Sequence, residues 1–88
     1  MAWTIEYSRA ASRQLRKLDR HTVQRVLDYM NERVAVLDDP RSRGKAMSGH
    51  YSGYWRYRVG DHRVICDIQN NALCILVLRV GRRDKVYR

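Results

Sequence analysis

Arginine supplies most of the chemistry this chain can do. Fifteen arginines and three lysines (Lys17, Lys45 and Lys85) stand against nine acidic residues, giving a net charge of +9 and a pI near 10.3. The guanidinium is a planar fork that grips phosphate through two hydrogen bonds and stacks on aromatic rings. A small basic domain dominated by it points to nucleic acid or to an acidic protein partner. The most telling segment is WRYRVGDHRVI, residues 55–65, where Arg56, Arg58 and Arg63 flank a Gly60-Asp61 pair. If that pair is a two-residue turn, Arg58 lies opposite Arg63 and Arg56 opposite Ile65, with all three arginines on one face. Like charges directly opposite one another destabilise a sheet. Such a face is either fully solvated or built to hold an anion.

Other chemistry finds less support. His21 sits at a helix start, His50 in a glycine loop, and His62 just past the turn, where parity points it away from the arginines. Surface or structural roles are expected for all of them. Cys66 and Cys74 lack a third ligand at metal-binding spacing and read as free, core-filling thiols. No metal or cofactor is expected. Phosphate-binding P-loops, dinucleotide fingerprints and serine nucleophile elbows have no counterpart in the chain.

The elements that must position the arginines follow from periodicity. Residues 2–7 alternate, with Trp3, Ile5 and Tyr7 on one side, and predict a strand. Ser8 is a helix cap, and Ala11, Leu15 and Leu18 form one helical face. Asp19 caps a second helix carrying Val23, Val26, Leu27, Met30, Val34 and Leu37, which Asp38-Asp39-Pro40 stops. A link this short predicts an antiparallel helical hairpin. Residues 41–53 hold three of the five glycines and read as a loop. Strands over 54–59 and 62–68 flank the turn, Asn70-Asn71 marks a second turn, and 73–80 is the last long strand, ended by Gly81. The order is β-α-α-β-β-β: an α+β domain with the helical hairpin on one face of a small, mainly antiparallel sheet. The last strand is apolar on both faces apart from Arg79, so Leu76 and Leu78 need shielding from something other than the helices, such as a partner protein.

With 88 residues there is one domain, spanning 1–88, near the low end of what folds without staples. The longest uncharged apolar run, residues 72–78, is too short to cross a bilayer, and Glu6 interrupts any signal-peptide layout. Free thiols suit a reducing cytoplasm. Secreted and membrane classes are not expected.

The segment WRYRVGDHRVI, taken together with ILVLRVGRRDKVY over residues 75–87, resembles the RelE/ParE superfamily of type II toxins, its RelE branch most of all. The element order and length agree, so the resemblance spans essentially the whole chain. It implies an mRNA interferase that enters the ribosomal A site and cuts the bound codon. The implied chemistry is metal-free attack of the ribose 2′-OH on the adjacent phosphate. Such a cut needs a proton acceptor, cations for the added phosphorane charge, a proton donor and something to splay the base. By match to the family pattern, Arg56 takes a basic position on the first hairpin strand, Arg63 the transition-state arginine, Arg83 the leaving-group position and Tyr87 the substrate-stacking aromatic. Lys45, Arg58 and Arg82 are expected to bind RNA. So is Tyr54, which stands where RelE itself has a lysine; Arg56 stays protonated and so acts electrostatically rather than as a base. The resemblance also implies a cognate antitoxin, acidic and partly disordered when free. Two further possibilities stay open at this point: a ParE-like poison of DNA gyrase, and a non-catalytic binding module, since one fold hosts several activities.

Overall fold

The alternating pattern at the start of the chain gives way to helix at Ser8, whose hydroxyl accepts a hydrogen bond from the Ala11 N–H at 3.0 Å. That bond satisfies one of the amides a helix leaves without an internal partner. The computed structural model describes residues 2–82: β1 (Thr4–Tyr7), α1 (Arg9–Arg16), α2 (Arg20–Tyr29), β2 (Lys45–Ala46), β3 (Trp55–Val59), β4 (His62–Gln69) and β5 (Cys74–Arg82). The sheet order is β1-β5-β4-β3-β2, with β1 parallel to β5 and every other pair antiparallel. Both helices lie on one face, α1 against β5 and α2 against β3. The α+β expectation holds, with one short strand added.

The core fills the space between helices and sheet. Ala11, Leu15, Val26, Met30 and Val34 meet Tyr57, Val59, Val64, Cys66, Ile68, Ile75, Val77 and Val80. Each large aliphatic buried this way contributes about 1.5–3 kcal/mol. Tyr57 is fully buried, and its hydroxyl donates to the Pro40 carbonyl at 2.7 Å, tying the loop to β3. Burial raises the Tyr57 phenol and pushes the Tyr7 phenol to about 12. It also raises the Cys66 thiol, which together with Cys74 is free and buried.

Four local features depart from expectation. The second helix is α-helical only to Tyr29; Met30–Val34 forms a π turn, with the Ala35 N–H donating to Met30 O at 2.9 Å. Val26, Met30 and Val34 are all fully buried at four-residue spacing. An α-helix would rotate such residues off one face by about 40° per step. The wider π turn keeps Val34 in the core, and Leu37 lies beyond the helix. Residues 41–53 are not all loop, because Lys45–Ala46 pairs with β3. The next departure is at Gly81, which does not end β5: it pairs with Arg63, and Arg82 pairs with His62. The partner strand still offers backbone groups there, which outweighs glycine's poor strand propensity.

The last departure matters most for the site. Between Ile65 and Cys66 the β4–β5 register slips, so Cys66 faces Val77 while Ile65 faces Arg79. Leu78 is the extra residue of a β-bulge. Alternation alone would put Arg79 with Ile75 and Val77 beneath the helices; the bulge turns it to the opposite face. Helix α1 holds the distortion in place. Beyond Val77 the edge strand β1 has ended, and α1 and its cap supply side chains in its stead: Ser8 Oγ donates to Leu78 O at 2.9 Å, and the Val80 N–H donates to Gln14 Oε1 at 2.7 Å.

Candidate functional site

The sheet face away from the helices carries the basic residues. The Gly60-Asp61 turn sets the hairpin register: Gly60 has φ +59°, and Asp61 is not in the left-handed region. That is the type II′ geometry for which glycine is suited. Arg58 then pairs with Arg63 and Arg56 with Ile65, as the spacing predicts. With the bulge and β2 included, one row crosses four strands as Lys45, Arg56, Ile65 and Arg79. The next row is Arg58, Arg63 and Gly81. Ile65 is fully buried although neither α1 nor α2 lies on this face. It lies between Arg56 and Arg79, whose stems can cover apolar surface while their heads remain in water.

Lys45 reaches the row because the preceding loop lies close on β3. Gly44 has φ +75°, and a Cβ there would collide with the Arg56 carbonyl oxygen. Only glycine permits both the angle and the approach. Trp55 Nε1 fastens the same loop by donating to Arg43 O at 2.6 Å. Beside Arg56 opens a depression of about 470 Å³, lined by Ala46, Met47, Ser48, His50, Tyr51 and Arg56. The rings of His50 and Tyr51 meet edge-on with centroids 6.2 Å apart.

Arg56, Arg58, Arg63 and Lys45 are thus brought together, and Tyr54 stands exposed just before β3. Arg82 is not on this face: it shares a row with His62 and Val59, on the helix side. Arg83 and Tyr87 lie outside the described residues. The open face also has a limit, since Glu6, Leu76 and Asp67 occupy one row beyond the arginines. Leu76 and Leu78 are half-buried, so the apolar face expected to need a partner is partly closed within the chain.

Two residues of this face escape a reading of the sequence. Arg79 is misplaced by simple alternation, yet a lone charge on an otherwise apolar strand is itself a signal. An arginine buried under the helices would carry a heavy desolvation cost, so a bulge was the cheaper solution. His50 sits in a glycine-rich loop with no periodicity to aim it, and only the folded loop brings it to Arg56.

Among the described residues, no group of three or more His, Cys, Asp or Glu could hold a metal ion. Nor is any helix among them long and apolar enough to cross a membrane. The face offers cations, two aromatic rings and one imidazole, a set suited to phosphate and base contacts.

Comparison with known proteins agrees with this geometry. The fold is similar to that of a chain in the RelBE2 toxin–antitoxin complex from Mycobacterium tuberculosis, with TM-score 0.85 and 23% identity over 94% of this chain and 93% of that one. An archaeal RelE–RelB complex from Pyrococcus horikoshii OT3 matches with TM-score 0.74 and 21% identity, covering 98% of this chain and 100% of that one. The isolated RelE toxin of E. coli matches with TM-score 0.72 and 16% identity over 98% and 92% of the two chains. No curated protein matches the chain by sequence. A family profile does: the ParE toxin of type II toxin–antitoxin systems, parDE, over residues 5–87. With a basic open face on a RelE-like sheet and a family match along nearly its whole length, the chain belongs to the ParE toxin family of the RelE/ParE superfamily and is a type II toxin.

Proposed function

We propose that this toxin is a ribosome-dependent endoribonuclease that cuts mRNA in the A site. One observation carries the proposal: the sheet face away from α1 and α2 gathers Arg56, Arg63, Arg79 and Lys45 beside a depression lined by His50. The 2′-oxygen attacks the neighbouring phosphorus, the P–O5′ bond breaks, and a cyclic phosphate and a free 5′-OH result. The phosphorane passing between them gains negative charge, which Arg56 and Arg63 stabilise from fixed positions on the sheet. The 2′-OH proton needs an acceptor, and permanently charged arginines are poor ones. His50 is the side chain of the Arg56 depression that can take and return a proton. Arg83, at the leaving group, and Tyr87, stacked on the substrate, complete the site by resemblance to the family. The ribosome contributes in-line positioning of the 2′-OH, which free RNA lacks.

The neighbours of this fold include RelE toxins bound to RelB antitoxins. An acidic, partly disordered antitoxin is the corresponding partner here, neutralising the +9 charge, with the ribosome of the cytoplasm as the target. Primer extension on an mRNA after brief induction tests the activity. Codon-phased cuts that vanish when translation is blocked are expected.

A second reading is favoured by the family profile itself, whose name is ParE: a poison of DNA gyrase. Linear DNA accumulating with purified gyrase and toxin, with mRNA intact, would establish that activity and displace the nuclease.

A further inference from the structure

Next to the Arg56 depression lies another of about 430 Å³ on the same face. The start of α1 and the bulge form its walls, and Arg9, Tyr51, Tyr54, Leu78 and Arg79 line it. Tyr51 lines both depressions, so they are neighbours. We propose that this depression is a second nucleotide subsite for single-stranded RNA. It takes the nucleotide adjacent to the one at Arg56, with the base against Tyr54 and the phosphate on Arg79 and Arg9. The inference rests on the nuclease reading above and extends it to how the substrate is laid across the face.

Three features of the depression select this occupant. Tyr54 is 36% exposed and is one of only two large apolar side chains so exposed among the described residues. A solvent-facing ring costs solubility unless something stacks on it, and every base has a face that can. Arg79 reaches this face only through the bulge, which Ser8 and Gln14 hold through side chain to backbone bonds spanning 70 and 66 residues of sequence. So specific a distortion places one cation where alternation would have hidden it. Finally, Glu6 and Asp67 in the neighbouring row repel a phosphate backbone and confine it to the arginine side. An acidic peptide would also be attracted by the arginines, but only a nucleic acid strand pairs a ring system with a phosphate at every unit, which is the spacing of Tyr54 beside Arg79 and Arg9 around one depression.

The test is binding of a fluorescein-labelled RNA hexamer to the full chain at several salt concentrations. Tyr54→Ala is expected to weaken binding about tenfold, with Tyr54→Phe close to wild type, because a stacking ring is what counts. Arg79→Ala and Arg9→Ala should each weaken binding and lower the slope of log K against log salt by about 0.7. Arg9 and Tyr54 are exposed, so their variants stay informative if Arg79→Ala fails to fold. A hexamer with an abasic position in the subsite should be insensitive to Tyr54→Ala. Hexamer binding unchanged in Tyr54→Ala and Arg9→Ala would overturn the subsite, as would loss of acidic-peptide binding in its place. Wild-type protein that binds RNA through Tyr54 and Arg79 yet cuts no ribosome-bound mRNA would sink the nuclease reading and leave the subsite standing.

Discussion

The β3–β4 hairpin and the strand β5 both deliver arginines to the open face, by different means. In the hairpin the placement is local: a two-residue turn with φ +59° at Gly60 fixes the register, and Arg58 and Arg63 follow by parity. In β5 the placement is remote. Arg79 faces the same way only because Leu78 bulges, and the bulge is held by Ser8 and Gln14 of the distant N-terminal segment. One arginine set is therefore as robust as its hairpin, whereas the other depends on the docking of α1. The two should respond differently to perturbation.

The largest effect is expected within the hairpin set. Arg63→Ala should reduce cleavage about a hundredfold or more by removing one aimed donor from the phosphorane. Circular dichroism should remain that of the folded protein, since Arg63 is half-buried and lies outside the core cluster between helices and sheet. Ser8→Ala comes next and separates the two mechanisms. It deletes the cap of α1 and the donor to Leu78 O together, and should cost about 1–2 kcal/mol of stability by denaturant unfolding. Activity should fall by roughly tenfold as Arg79 loses its aim, one charge-assisted contact being worth about that much. The hairpin amides should keep their hydrogen-exchange protection. A Ser8→Ala protein with normal cleavage would show that Arg79 needs no help from α1.

Gly44→Ala probes the edge of the hairpin set. The substitution forces a Cβ against the Arg56 carbonyl at φ +75°, so β2 should detach and stability drop by about 1 kcal/mol or more. Lys45 would leave the row with it. Smaller still is the response to alkali. Tyr7 is pushed to about 12, and burial also raises Tyr57 and Cys66, so the folded state holds all of them neutral. A raised folded pKa means stability that is complete below the unfolded value and lost as pH climbs towards the folded one. Denaturation midpoints should accordingly be flat near neutrality and fall as pH rises from about 9 towards 12. Arg13→Ala, on an exposed turn of α1, should change neither cleavage nor the midpoint.

Much of this architecture was legible in residue types and spacing. Strand and helix periods, the Ser8 and Asp19 caps and the Gly60 turn are local signals, and each corresponds to an element observed. What resisted reading was set by tertiary partners. The π turn answers to the shape of the core at Val34, and the bulge answers to hydrogen bonds from α1. The same division runs through the site. Arg56, Arg58 and Arg63 share a face that turn chemistry alone predicts, whereas Arg79 and His50 reach the site by long-range contacts that have no local pattern.

The most direct test is a translation system reconstituted from purified components, with ribosomes halted at a defined codon and the mRNA ends mapped and characterised. Wild-type protein should cut within the A-site codon, leaving a cyclic phosphate on one fragment and a 5′-OH on the other. Arg63→Ala should leave the message intact over the same interval. Intact mRNA with the wild-type protein, or equal cleavage by Arg63→Ala, would contradict the assignment of this basic face to RNA cleavage.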